Sequence, residues 1–165
     1  MAIREPRIVA RMKPIEFELE RTIRAPIDLV FARLADIEGH NAWVPGRGSI
    51  LRGTRQTSPG PVAAGTTYED RTRMGTMPGE IVELDDPNRI AYHWWNRSSS
   101  GKTRMEGWPG YTLEAVGEGE TRVRHDVRLR ANGIRALGTP VLRIIAHRER
   151  TATLDALVRS FATPR

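Results

Sequence analysis

One stretch limits the architecture more than any other. Thr139 to Ala162 is the only segment that reads as a long helix, and it comes after more than a hundred residues that read mostly as strand. Thr139 is the expected N-cap and Pro140 the first helical residue, where a missing N–H costs nothing. No Gly or Pro follows until Pro164. About 23 residues at 1.5 Å each make a rod of roughly 34 Å. A sheet with one apolar face needs a cover, and only this helix is long enough to supply it.

The helix is not evenly amphipathic. Leu154, Leu157, Val158 and Phe161 form an i, i+3, i+4, i+7 stripe. Carried toward the N-terminus, that stripe passes through Thr151, Arg150, His147 and Arg143, while Val141, Ile144 and Ile145 fall on the opposite side. The C-terminal half can then pack on the sheet while the N-terminal half turns polar groups inward, but this is not the favoured reading. The alternatives are a kink, or a first half that packs on something else.

The strands follow from period-two alternation. Ile15 to Arg24 alternates cleanly, and Ala25-Pro26 ends it. Ile27, Val30, Phe31 and Leu34 then mark a short helix, and Asp36 to Trp43 a second. Further strands are expected at Ser49–Thr54, Thr66–Arg73, Glu80–Leu84, Ile90–Asn96, Thr103–Val116 and Thr121–Ala131. Gly75–Pro78 and Asp85–Asn88 read as turns, and Pro109-Gly110 as a bulge. The fold class is therefore α+β: about seven antiparallel strands, two short helices after the first, and one long terminal helix. Residues 1–14 read as a basic leader, with Met12 an alternative start, and 15–163 as one domain.

Composition narrows the function classes. The chain has no Cys, which removes disulfides, thiolate nucleophiles and Cys-based zinc sites. His40, His93, His125 and His147 lack metal-ligand spacing, so no metal is expected. No HExxH, GxSxG or phosphate loop occurs, and no carboxylate pair is expected among apolar neighbours. No apolar run approaches a membrane span, so a cytoplasmic location follows by default. The net charge of +6 permits an anionic partner. Its one concentrated row, Arg122, Arg124, Arg128 and Arg130, is expected on a solvated sheet face with partners such as Glu106 and Glu114. Nucleic acid is therefore not the expected partner.

Ile23-Arg24-Ala25-Pro26 followed by Val30-Phe31, Leu34 and Asp36, then Trp43, Gly65-Thr66, the turn Glu83 to Ile90 and the end Leu154 to Phe161 together resemble the START/Bet v 1-like (SRPBCC) superfamily. The resemblance is to its polyketide cyclase/dehydrase and lipid-transport branch and covers roughly Ile15 to Ala162. It implies a helix-grip fold, a curved sheet wrapped on the long helix, with an apolar cavity between them. It also implies a hydrophobic ligand, aromatic, polyketide or lipid-like, and no cofactor. The superfamily includes carriers and enzymes alike, so fold does not choose between them.

Strand parity proposes the lining. In the last strand Thr121, Val123, His125, Val127 and Leu129 face inward, making His125 a desolvated, neutral, candidate base. Tyr92 and Trp94 are placed inward by analogy with the family, leaving Trp95 outside under a neighbour or a partner subunit. Met105, Tyr111 and Trp108 are further candidates. Trp43 is placed at the mouth, and from the Thr66 strand either Tyr68 with Asp70 or Glu69 with Arg71 enters. His147, Arg150 and Thr151 complete the set from the helix. A cyclase or dehydratase would use His125 with Tyr111, Tyr92 or Tyr68 as acid and base, and Arg150 or Arg143 to hold an enolate. The readings are thus a binder of a hydrophobic small molecule, a cofactor-independent cyclase/dehydratase or isomerase, and an adaptor for RNA or an anionic surface. The oligomeric expectation is monomer or homodimer.

Overall fold

The computed structural model describes residues 13–133 and 138–162; residues 1–12 of the basic leader, Met12 included, lie outside them. Seven strands form one antiparallel sheet: β1 (Ile15–Ile23), β2 (Leu51–Gln56), β3 (Thr67–Thr72), β4 (Gly75–Asp85), β5 (Arg89–Arg97), β6 (Thr103–Gly117) and β7 (Glu120–Ala131). Their spatial order is β1-β7-β6-β5-β4-β3-β2, so β1 and β2 are the two edges. Two short helices, α1 (Ile27–Ala35) and α2 (His40–Trp43), carry the chain from one edge to the other. The long helix α3 runs unbroken from Thr139 to Ser160.

Main core residues are drawn from every layer. Val30, Phe31 and Leu34 of α1 meet Ile81, Ile90, Leu113 and Val123 of the sheet and Leu154 and Leu157 of α3. A smaller cluster, Ile15, Met105 and Leu129, lies under Leu142 and Ala146 of α3. The outer face of the sheet carries the arginine row, and each member has a carboxylate partner: Arg122 with Glu114, Arg124 with Glu18, Arg128 with Glu16, Arg130 with Glu106.

Four local expectations are corrected. Gly138, not Thr139, is the N-cap of α3, with Pro140 in the first turn. The second helix covers only His40–Trp43. Gly75–Pro78 is strand, because β3 and β4 meet in a two-residue hairpin whose closing pair is Thr72 and Gly75. Gly75 has φ +107°, a value open to glycine, which lets the turn be that tight. Finally, β6 holds one register past Pro109-Gly110: Tyr111 faces Ile90 and Gly107 faces Trp94 with no shift between them. Its single register shift against β7 comes later, between Ala115 and Gly117.

Candidate functional site

The unbroken register of β6 decides which aromatics reach the interior. Met105, Gly107, Pro109, Tyr111 and Leu113 share the inner face, and all are buried. Trp108 therefore points outward, where its ring stacks on His93 at 4.7 Å with Arg128 and Arg130 over it. This corrects its expected place in the lining. Trp95 is also outside, covered by His93 and Arg97. Inside, two glycines make room for rings. Trp94 lies across its strand partner Gly107, where a Cβ would sit 2.6 Å from the indole, and Tyr68 lies across Gly79 in the same way, at 2.4 Å.

Between the sheet, α2 and the middle of α3 is a cavity of about 100 Å³. Tyr68, Tyr92, Tyr111, Trp43 and Trp94 line it, with Leu34, Ile37, Met77 and Pro109. Half-exposed Val44, Ile50 and Leu51 line it too and mark its mouth. The three tyrosines form a T-shaped ladder, Tyr68 to Tyr92 at 6.0 Å and Tyr92 to Tyr111 at 6.4 Å. Burial pushes the pKa of each hydroxyl upward, so all three remain hydrogen-bond donors.

The end of α1 shapes one wall. The Leu34 carbonyl, left without a helical partner, accepts from Tyr92 Oη at 2.6 Å and from His40 Nε2 at 2.7 Å. Burial lowers the His40 pKa, and its ring packs on Trp43. Asn41 fastens α2 to the edge strand β2 by accepting from Thr54 N and donating to Thr54 O, as a neighbouring strand would. Trp43 is thereby held over the cavity, with its buried Nε1 lacking a hydrogen-bond partner.

The ionisable groups differ from expectation. Tyr68 and Asp70 are the pair from β3 that enters, whereas Glu69 pairs outside with Arg55. Desolvation raises Asp70 to about 6, partly offset by its hydrogen bond with Thr54 and the charge of Arg150. Arg150 lines the cavity near Tyr111, where its charge partly offsets the upward shift of the Tyr111 hydroxyl, and no carboxylate forms a direct ion pair with it among the described residues. Glu149 faces the mouth and accepts from the Ser49 hydroxyl and from Ile50 N at 3.0 Å. Two carboxylates therefore border a largely apolar cavity, against expectation. Parity could place Tyr68 and Asp70 together on one face, but only packing chose that face. Glu149 was missed because it lies off the helical stripe, one turn after Ile145 on the other side of α3.

Several expected lining residues lie elsewhere. His125 is wholly buried behind Tyr111, its cross-strand partner, with the rings stacked at 4.1 Å. Its Nδ1 donates to the Gly110 carbonyl at 2.8 Å, which leaves Nε2 an unpaired acceptor. Burial, reinforced by Arg150, lowers its pKa to about 3. Met105 fills the small cluster, and Val127 is buried in β7 opposite Pro109. His147 packs on Phe17 at 5.2 Å, and Thr151 turns its hydroxyl to the His147 carbonyl. Arg143 reaches the Glu16 carbonyl at 3.3 Å, outside the cavity. Among the described residues no group of side chains could hold a metal ion, and no helix is long and apolar enough to cross a membrane.

A family model described as polyketide cyclase / dehydrase and lipid transport matches residues 14–162. No curated protein sequence matches the chain. Among solved structures, the Zhui aromatase/cyclase from Streptomyces sp. R1128 is similar with a TM-score of 0.70 at 16% identity, over 88% of this chain and 92% of that one. A START superfamily protein from Mycobacterium smegmatis reaches 0.68 at 9% identity, over 88% and 96%. The di-domain ARO/CYC StfQ from the steffimycin biosynthetic pathway reaches 0.60 at 17% identity, over 88% and 44%. At these identities the likeness is one of fold, the helix-grip arrangement of curved sheet and terminal helix.

Proposed function

The chain belongs to the polyketide cyclase/dehydrase and lipid-transport family, and from that premise we propose that it binds an oxygenated aromatic or polyketide-like small molecule between sheet and α3. One observation carries the reading: an aromatic-walled cavity holds a guanidinium, Arg150, that forms no direct ion pair among the described residues, although Asp70 in the same lining feels its charge. A half-buried cation at the cavity wall and a buried, unpartnered Trp43 N–H both call for acceptor oxygens on the occupant. A volume of about 100 Å³ takes a single ring. A larger ligand would extend past Val44, Ile50 and Leu51.

Quenching of Trp43 and Trp94 tests this with 2-naphthol, 2-naphthoate and naphthalene as probes. The oxygenated probes should bind about tenfold or more tighter than naphthalene, and Arg150→Met should remove the difference. Equal binding of all three, unaffected by Arg150→Met, would overturn the reading. The proposal includes a cytoplasmic protein, monomer or homodimer, that takes a small molecule rather than nucleic acid. The pairing of the β7 arginines with glutamates supports that last point.

A second reading, catalysis, is favoured by Asp70. A carboxyl group held near pKa 6 is ionised at pH 7 yet basic enough to take a proton beside a carbonyl. Arg150 and Tyr111 would hold the enolate oxygen. His125, shut behind Tyr111, is replaced in that role. Asp70→Asn should then abolish cyclisation of a poly-β-ketone thioester while leaving naphthoate binding intact, and His125→Phe should spare turnover. Turnover that survives Asp70→Asn would end this second reading.

A further inference from the structure

We infer that the groove between α1, α2 and the end of α3 is a second binding site, for a small amphiphile with an anionic head and a short aliphatic body. The groove holds about 890 Å³, a size typical of small-molecule sites. Trp43 alone lines both the groove and the cavity, so the two are separate sites with one common wall. Apolar residues line much of the groove: Leu29, Ala32, Ala42, Pro45 and the buried Ala156.

Charge indicates the head of the occupant. Two cations, Arg33 and Arg159, share the lining with one carboxylate, Asp36, which accepts from Gly39 N at 3.0 Å. Neither arginine forms an ion pair among the described residues, and the lining is left with a net positive charge. Arg33 is half-buried and held in place. Its Nη1 donates to the Ser160 carbonyl at 2.6 Å and to the Ser160 hydroxyl at 2.9 Å. Its guanidinium carbon lies 3.8 Å from the centre of the Phe161 ring. Closing the last carbonyls of α3 accounts for Nη1. It does not account for Nε and Nη2, which have no hydrogen-bond partner among the described residues. That free edge carries the two parallel N–H groups that a carboxylate or sulfate accepts side by side. Because Ser160 and Phe161 already fix the guanidinium, little side-chain freedom remains to be lost on binding. A protein partner fits less well. Leu29, at 58% exposure, is the only large, prominently exposed apolar residue of the lining, too little for a stable interface.

Octanoate and 1-octanol, which share a chain and differ in charge, are the probes. Titrated into the 15N-labelled protein, octanoate should shift the amide resonances of Ala32, Ala42 and Ala156, and 1-octanol should bind there about fivefold or more weakly. Arg33→Gln should reduce octanoate to the level of octanol. Arg33→Lys, which keeps the charge and loses the fork, should restore no more than about half of the difference. Arg159→Gln should weaken octanoate about two- to threefold. Ala32→Trp, at an exposed helical position, should block both probes, and it keeps the test open if Arg33→Gln does not fold. Groove amides that stay unmoved at about 1 mM octanoate would overturn the inference. So would shifts confined to the amides of Tyr68, Tyr92 and Tyr111, which would put the probe in the cavity. Equal binding of the two probes, indifferent to Arg33→Gln, would overturn it as well. None of these readouts requires a cavity ligand, so failure here leaves the proposed binding standing.

Discussion

The two halves of α3 belong to one continuous helix but behave as different objects. In the C-terminal half Thr153, Leu154, Ala156 and Leu157 are buried, with both leucines at 0% exposure against α1 and the sheet. In the N-terminal half nothing is buried: Leu142 and Ala146 rest only partly covered on the small cluster, His147 packs on Phe17, and Arg143 reaches a backbone carbonyl. Arg150 stands at the boundary and faces the cavity, with Glu149 and Thr153 beside it. The lesson is that one half anchors and the other leaves space. A helix apolar along its whole inner stripe would close onto the sheet and fill the cavity.

The comparison can be broken most forcefully in the anchor. Leu157→Ala should cost about 2–5 kcal/mol in denaturant unfolding, because the hole it leaves is enclosed on all sides. A loss under about 1 kcal/mol would mean that the C-terminal half is not the anchor.

The next effect sharpens the cavity's electrostatics. Asp70 has a folded pKa of about 6, above its unfolded value, so the folded state holds the extra proton between about pH 4 and 6. That contribution to stability is complete below pH 4 and is lost as pH rises to 6. His125, lowered to about 3, acts oppositely. The unfolded state binds the extra proton, so stability is lost as pH falls from about 6.5 toward 3. The two slopes oppose each other between about pH 4 and 6. Asp70→Asn should raise stability at pH 7 by on the order of 1–2 kcal/mol, discounted for the partial exposure of the side chain, and leave only the histidine slope. His125→Phe should leave only the aspartate slope. Thermal unfolding across pH 3–8 reads both, and identical profiles for wild type and Asp70→Asn would refute the assignment.

The smallest effects belong to the surface. Arg21 meets Asp155 at 2.9 Å beside the anchor, both side chains more than a third exposed, and Arg21→Ala should cost no more than about 1 kcal/mol. Ile144→Ser, on the outer face of the other half, should move stability by less than about 0.5 kcal/mol. A larger loss from Ile144→Ser than from Arg21→Ala would mean the exposed patch is packed in solution.

Much of this could be read from residue order. Alternation located all seven strands, and the polar continuation of the helical stripe through Thr151, Arg150, His147 and Arg143 left a half-anchored helix open beside a kink. The faces of β5 were assigned by family analogy, and the structure agrees for Tyr92 and Trp94. Failures cluster where a side chain's face depended on continuity of a strand. Pro109-Gly110 looked like a bulge, so the phase of β6 was left open and Trp108 was put on the wrong side. Proline lacks an N–H, but pairing held on both flanks and the phase carried through. Asp70 was half-seen, as one of two pairs that parity could not separate.

What residue order alone determined is periodic: element types, strand parity, and a terminal helix with one apolar half and one mixed half. These depend on repeats of 2 and 3.6 residues, which need no partner to be visible. Which faces met was decided only in three dimensions. Tyr111 closes over His125 because β6 and β7 pair at that register, and Arg150 reaches Tyr111 because α3 is pinned one turn further on by Leu154. Contacts between residues distant in the chain fix desolvation, and desolvation decides which buried group stays neutral and which is poised to ionise.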